Sequence, residues 1–236
     1  LFGSHHVLSM AGMENKMICR KRKIIFVHIP KCGGTSVEDC IWTGDKSKRT
    51  EQDLWMGVKY PFWKPTRNKY QTGGLQHLTA QQIRQEIGHD LFCGCFRFAV
   101  VREPLARIVS QYKYMKRRHD LRKLIKMNEN DSFSHYLDLI SKKSHVQWKP
   151  QADFILDRDG SMLVDRVYRL EDISTDMSDL SRNVGLDFER LPKHNTTADM
   201  EPPVITNADR EEVAMMFRKD YEILDYAVSD MLATTK

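Results

Sequence analysis

The sequence predicts an α/β protein, a three-layer fold with a central parallel sheet flanked by helices. Three observations carry this. The apolar run Ile24-Ile25-Phe26-Val27 leads into a glycine turn, Lys31-Cys32-Gly33-Gly34, and then into Thr35-Ser36, residues suited to a helix start. A second apolar run, Phe96–Val101, leads into Arg102-Glu103-Pro104, and proline fits the first turn of a helix. A third strand-like stretch covers Val164–Arg169. Strands alternating with helices imply parallel pairing, with ligands at the strand ends.

Taken in order, residues 1–12 read as a vector-derived or disordered leader, with Met10 or Met13 as a natural start, and 13–236 as one domain. Lys23–Ile29 reads as the first buried strand and Thr35–Trp42 as the helix after the turn. Residues 43–74 are irregular, with Pro61, Pro65, Gly73 and Gly74 around Trp55, Phe62 and Trp63. A loop of that length inside one domain is often functional. Thr79-Ala80-Gln81-Gln82 is a capping box, so a helix runs from there to about Ile87. Phe96–Val101 is the second strand. The helix opened by Pro104 continues through Tyr112 towards Arg118. Phe133–Ile140 is a short helix, and Val164–Arg169 the third strand. Thr206 caps a final helix with Asp209, Glu211 and Glu212 early and Arg218 and Lys219 late, as the helix dipole favours.

With 236 residues, 41% of them hydrophobic and 29% charged, the chain is large enough for one full core and reads as globular. No apolar run approaches the ~18 residues of a membrane span, and no signal-peptide stretch is visible. The five cysteines form no regular framework, which favours reduced thiols and a cytoplasmic setting. Cys93 and Cys95 are too closely spaced for a usual zinc pair, so no metal is expected. Neither a nucleic-acid partner nor a particular oligomeric state is indicated. Net charge is +5, and Lys113–Lys126 holds seven basic residues against the single acid Asp120. That segment is either a solvated helix face or a surface for an anionic partner.

The glycine turn carries the chemistry. Adjacent glycines let several N–H groups converge on one point. Thr35 and Ser36 follow at a helix N-terminus, where free N–H groups and the dipole favour an anion. Lys31 adds a mobile positive charge. The unit is built to hold a phosphate-like group. It departs from the nucleotide-triphosphate loop G-x-x-x-x-G-K-[ST], because its lysine precedes the glycines and the loop is shorter. The second strand also ends in Arg102 rather than in the acid that helps hold Mg²⁺ in kinases and ATPases.

Pro30-Lys31-Cys32-Gly33-Gly34-Thr35-Ser36 resembles the 5′-phosphosulfate loop of sulfotransferases, most of all the carbohydrate (Golgi-type, family 2) enzymes, whose loop usually reads P-K-T-G-G-T-S. Val101-Arg102-Glu103-Pro104-Leu105-Ala106-Arg107-Ile108-Val109-Ser110-Gln111-Tyr112 resembles their 3′-phosphate segment, V-R-[DN]-P-x-x-R-x-x-S-x-[YF]. Weaker likenesses are Gln76-His77-Leu78-Thr79-Ala80, Arg169-Leu170-Glu171 and His194-Asn195-Thr196-Thr197, so the likeness spans about residues 23–226 but not the 43–74 loop. It implies a P-loop-like sheet and the donor 3′-phosphoadenosine-5′-phosphosulfate (PAPS), with adenosine 3′,5′-bisphosphate (PAP) as product and no metal. Cys32 departs from the usual threonine.

The same resemblance implies roles. Lys31 neutralises the leaving phosphate. Cys32, Gly33, Gly34, Thr35 and Ser36 hold the 5′-phosphate. Arg102 and Ser110 bind the 3′-phosphate. Arg107 reads as a structural or ion-pair residue. Sulfuryl transfer to a hydroxyl also needs a base, and histidine suits it. His77 stands before the second strand, where several glycan sulfotransferases place a histidine base. Glu38 is the runner-up and His28 a core or subsite histidine. The expected acceptor is a hydroxyl on a carbohydrate or a small-molecule metabolite, anionic if the basic segment guides it. The resemblance leaves a lumenal fragment of a Golgi membrane-anchored enzyme as the alternative to a cytoplasmic protein. Two rivals remain: a nucleotide kinase needing Mg²⁺, and a non-catalytic polyanion-binding module needing neither Lys31 nor His77.

Overall fold

The computed structural model describes residues 18–19, 22–41, 77–186, 191 and 200–227. The leader 1–12, the 43–74 loop with Trp55, Phe62 and Trp63, and Asn195-Thr196-Thr197 lie outside the described residues.

The described chain builds a four-stranded sheet of β1 (Ile18–Cys19), β2 (Ile24–Val27), β3 (Phe96–Val101) and β4 (Arg166–Arg169), in that spatial order. β1 pairs antiparallel with β2, while β2–β3 and β3–β4 are parallel. Val27 sits opposite Ala99, and Val101 opposite Arg169. This register puts the chain leaving β2, β3 and β4 at one edge of the sheet, where parallel sheets place ligands.

All four β2 residues are buried, as a central parallel strand requires. Their side chains alternate between two layers. Ile25 and Val27, with Ala99 and Val101, pack under Leu78, Ile83, Phe92 and Phe154. Ile24 and Phe26, with Phe98, Val100 and Tyr168, pack against Val37, Ile41, Leu180 and Val184. The first layer is covered by α2 (Ala80–Ile87), α3 (His89–Cys93) and α7 (Ala152–Ile155), and the second by α1 (Gly34–Ile41) and α8 (Met177–Val184). Phe26 and Phe98 stack at 5.0 Å and are essentially inaccessible. Each such side chain contributes roughly 1.5–3 kcal/mol by burial.

A second, all-helical core lies beside the sheet. It is formed by α4 (Pro104–Arg117), α5 (His119–Ile125), α6 (Phe133–Ser141) and α9 (Asn207–Met216) around Ile108, Tyr112, Met115, Phe133, Tyr136, Val213 and Phe217. The α4 helix starts as its sequence requires. Pro104 is its first residue, and the Glu103 carboxylate accepts from the N–H groups of Leu105 and Ala106 at 2.9 and 2.6 Å. Thr79 and Gln82 form the expected capping box on α2.

Three expectations need correction. The third strand begins at Arg166 rather than Val164, because Asp165 turns to accept from the N–H and guanidinium of Arg97. The basic Lys113–Lys126 segment is not one helix face, since the helix breaks at Arg118, which caps both α4 and α5. The last helix does not carry Arg218 and Lys219 at its end. It stops at Phe217, and those residues open α10 (Arg218–Ile223). Phe217 is buried in the helical core, and the break brings Asp220 under the backbone N–H groups of Gln151 and Ala152, both at 2.9 Å.

Candidate active site

The glycine turn leaves β2 and enters α1 through two residues with positive φ, Lys31 at 67° and Gly33 at 75°. Glycine adopts this freely, but a lysine there costs on the order of 1 kcal/mol or more, and such strain concentrates at functional sites. A side chain on Gly33 would meet Leu170, just past β4, at 2.8 Å. Ser36 and Val37 turn back to the Gly33 carbonyl at 3.0 and 3.3 Å. Among the described residues nothing accepts from the N–H groups of Gly33, Gly34 and Thr35. Three unpaired N–H groups at a helix N-terminus are an arrangement that suits an anion.

Lys31 is half-buried, its Nζ 4.1 Å from the centre of the Tyr114 ring on α4. Burial lowers its pKa to about 8, and the nearby positive charges of Arg102 and Arg117 lower it further towards that value. The Arg102 and Arg117 charges therefore lie close enough to Lys31 to act on it. Among the described residues no carboxylate pairs with Lys31 or Arg102. Glu103 is occupied with capping α4 and accepting from the Tyr221 hydroxyl at 2.8 Å.

Arg102 and Ser110 line one cleft of about 330 Å³, with Glu103, Ala106 and Val109 at the start of α4 and Lys113, Ile205 and Arg210 completing the lining. The structure thus brings the two sequence-predicted residues together. It adds Lys113 and Arg210, which no motif singled out because Arg210 arrives from α9.

Behind the loop, Gln151 is fully buried and ties Cys32 of the loop to the Arg102 backbone through three contacts. Its amide oxygen accepts from Arg102 N–H at 2.9 Å and from Cys32 Sγ at 3.2 Å, and its amide nitrogen donates to the Arg102 carbonyl at 2.7 Å. Cys32 points into the core, and burial pushes its thiol up to about 12. Its side chain therefore braces the loop rather than facing the cradle. Arg107 is also wholly buried. It donates to the Pro30 carbonyl at 3.3 Å and the Lys149 carbonyl at 2.7 Å, and lies 3.8 Å from Asp220.

His77 sits just before α2. Its Nδ1 lies 3.0 Å from the backbone carbonyl of His28, and its ring meets the His28 ring edge-on at 4.6 Å. Burial lowers its pKa to about 3, with the His28 charge the next cause. His77 is thus neutral near pH 7, with a lone pair to accept a proton, and burial makes it a weaker base than free imidazole. His28 follows β2 directly. Its Nδ1 is 2.7 Å from Glu38 Oε1, and both side chains are nearly inaccessible. A Cβ on Gly34 would lie 2.1 Å from His28 Nε2, so only glycine fits where this ring crosses the helix start. Sequence reasoning named His28 and Glu38 separately. Nothing in their ten-residue spacing signalled that they form a pair.

A family model described as "Sulfotransferase family" matches residues 14–227. An uncharacterized protein of Archaeoglobus fulgidus is 28% identical over 122 residues, which is 52% of this chain and 94% of that protein. The crystal structure of a sulfotransferase from Alicyclobacillus acidocaldarius aligns with a TM-score of 0.49 at 17% identity, covering 89% of this chain and 98% of that one.

Proposed function

The chain belongs to the sulfotransferase family, and on that premise we propose that it moves a sulfuryl group from PAPS to a hydroxyl of a carbohydrate or related polar acceptor. The observation that carries this reading is the pairing of a glycine cradle after β2 with the cationic Arg102–Ser110 cleft after β3, two anion-holding units on neighbouring parallel strands. A donor with phosphates at both ends of a nucleoside suits two such units.

When bound, PAPS supplies an activated sulfuryl group on its 5′-phosphate. The residues divide the remaining tasks. Free N–H groups of the Gly33–Thr35 turn, with the Thr35 and Ser36 hydroxyls, hold the 5′-phosphate. The Lys31 ammonium balances the charge that grows there as transfer proceeds. Arg102, a planar fork of donors, and Ser110 hold the 3′-phosphate. His77 takes the acceptor's proton through Nε2, the nitrogen not bonded to the His28 carbonyl. The rival kinase reading needs an acid near the loop to hold Mg²⁺, and Arg102 occupies that strand end.

Thermal unfolding in EDTA tests the donor. PAP should raise the melting temperature without metal, by about 2.7 kcal/mol of stabilisation at a hundredfold excess over Kd. Stabilisation by ATP with Mg²⁺ and none by PAP would replace this reading with a kinase. An acceptor screen at saturating PAPS, comparing sugars with small neutral hydroxyl compounds, then decides the acceptor class.

A further inference from the structure

We propose that His28 and Glu38 form a positioning pair for His77, fixing the base in the tautomer whose Nε2 is free to take the acceptor's proton. The inference rests on the reading of His77 as the base.

A carbonyl oxygen cannot donate, so the 3.0 Å contact between His77 Nδ1 and the His28 carbonyl requires the proton on Nδ1. Neutral His77 then carries its lone pair on Nε2. The carbonyl that sets this choice belongs to His28, the residue linking β2 to the glycine turn, whose ring also packs edge-on against the His77 ring. That side chain is locked on every side. Nδ1 is held by Glu38 at 2.7 Å, the Nε2 edge packs on Gly34, the ring stacks with Phe26 at 5.5 Å, and its edge meets the His77 ring at 4.6 Å. A carboxylate fixing a histidine that fixes the working imidazole is an outer-shell arrangement of the kind that orients reactive groups.

Charge acts on His77 from three neighbours: His28 at the end of β2, Glu38 on α1 and Lys31 in the loop. His28 and Lys31 oppose a positive charge on His77, and Glu38 favours it. In the transfer step the acceptor O–H bond breaks as its oxygen bonds to sulfur, and the proton passes to His77 Nε2. The sulfur–oxygen bond to the 5′-phosphate breaks with its electron pair leaving on that phosphate. The imidazolium so formed gives its proton to solvent. Glu38 is the buried negative charge that stabilises that transient cation.

A double-mutant cycle on the full chain tests the pair, with turnover and PAP affinity measured for wild type, Glu38→Gln, His77→Ala and the double variant. Glu38→Gln is expected to lower kcat about tenfold, as a charge-assisted contact becomes a neutral one. It should leave PAP affinity within about twofold and cost nothing further in the His77→Ala background. Losses that multiply, or a matching loss of PAP affinity, would show that Glu38 only supports the loop and would overturn the inference while leaving His77 as the base. Wild-type turnover in His77→Ala would remove the base reading and this inference together. Long-range ¹H–¹⁵N spectra of the wild-type histidines give a second readout that needs no variant. His77 should report protonation at Nδ1, and a proton on Nε2 instead would overturn the proposal.

Discussion

The two halves of the candidate site are built in opposite ways. Around His77 the chain is packed tightly: His28, Glu38 and Gly34 fit without room for one added carbon, and the His28–Glu38 contact is short and buried. Around Arg102 the chain is open, a cleft lined by Arg102, Lys113 and Arg210 together with Glu103, whose carboxylate is taken up in capping α4. Packing orders the first region and charge defines the second. A base must be held to a fraction of an ångström in one tautomer, which interdigitated side chains do well. A multiply charged ligand must be attracted and then released, which solvated cations do well. Substitutions in the packed half should therefore act on turnover, and those in the open half on affinity.

The steepest test of that division is His77→Ala. Turnover should fall by about 10²–10⁴-fold while PAP binding, followed by calorimetry, stays near wild type. Persistent turnover in this variant, with loss in Glu38→Gln, would move the base to Glu38.

Next in size come Lys31→Ala and Arg102→Ala, which should each weaken PAP binding about tenfold to a hundredfold, the effect of roughly 1.5–3 kcal/mol for a lost charge-assisted contact. Equal affinity in both variants would sink the assignment of the open half as the donor site.

The pH response of donor binding should be smaller, at most about tenfold per pH unit. Burial and the neighbouring cations Arg102 and Arg117 bring Lys31 down to about 8. Below that pH the free protein carries the ammonium that a phosphate prefers, and above it the ammonium is progressively lost. PAP affinity should be level near pH 7 and fall between about pH 8 and 9.5, with a proton taken up on binding. Lys31→Arg keeps its charge throughout this range and should flatten the curve. A flat wild-type curve would show that Lys31 is not a donor contact.

The smallest effect concerns the acceptor. Arg118 is held by Asp120 through two hydrogen bonds of 2.8 and 2.6 Å, whereas Arg117 is exposed and its charge is felt at Lys31. If an anionic acceptor is steered to the site, kcat/KM at saturating PAPS should decline with ionic strength, and Arg117→Glu should flatten that decline more than Arg118→Glu does. A salt-independent kcat/KM in wild type would remove the steering role.

What the sequence revealed follows from the range of the forces involved. The glycine turn, the proline that starts α4, and the Thr79 and Thr206 caps are local chemistry, and each was found where a few adjacent residues dictate it. Phe96–Val101 was read to the residue because a buried parallel strand is a plain apolar run. The joint between α9 and α10 was missed because the charge pattern suits one long helix, while the burial of Phe217 and the anchoring of Asp220 are tertiary demands. Gln151 was invisible for the same reason, since its partners Cys32 and Arg102 lie 119 and 49 residues away. The His28–Glu38 pair is separated by only ten residues, but a strand end, a turn and a helix intervene.

The buried thiol at Cys32 turns the glycine loop into its own clock. Its sulfur is shut in the core and hard to ionise, so an alkylating reagent reaches it only in the fraction of molecules whose loop has momentarily opened. Cys93 lies on the surface and reacts without any such opening, which supplies an internal reference in the same sample. The ratio of the two labelling rates, mapped by mass spectrometry, counts how often the cradle comes apart. A ligand that truly occupies the cradle must slow the first rate and leave the second unchanged.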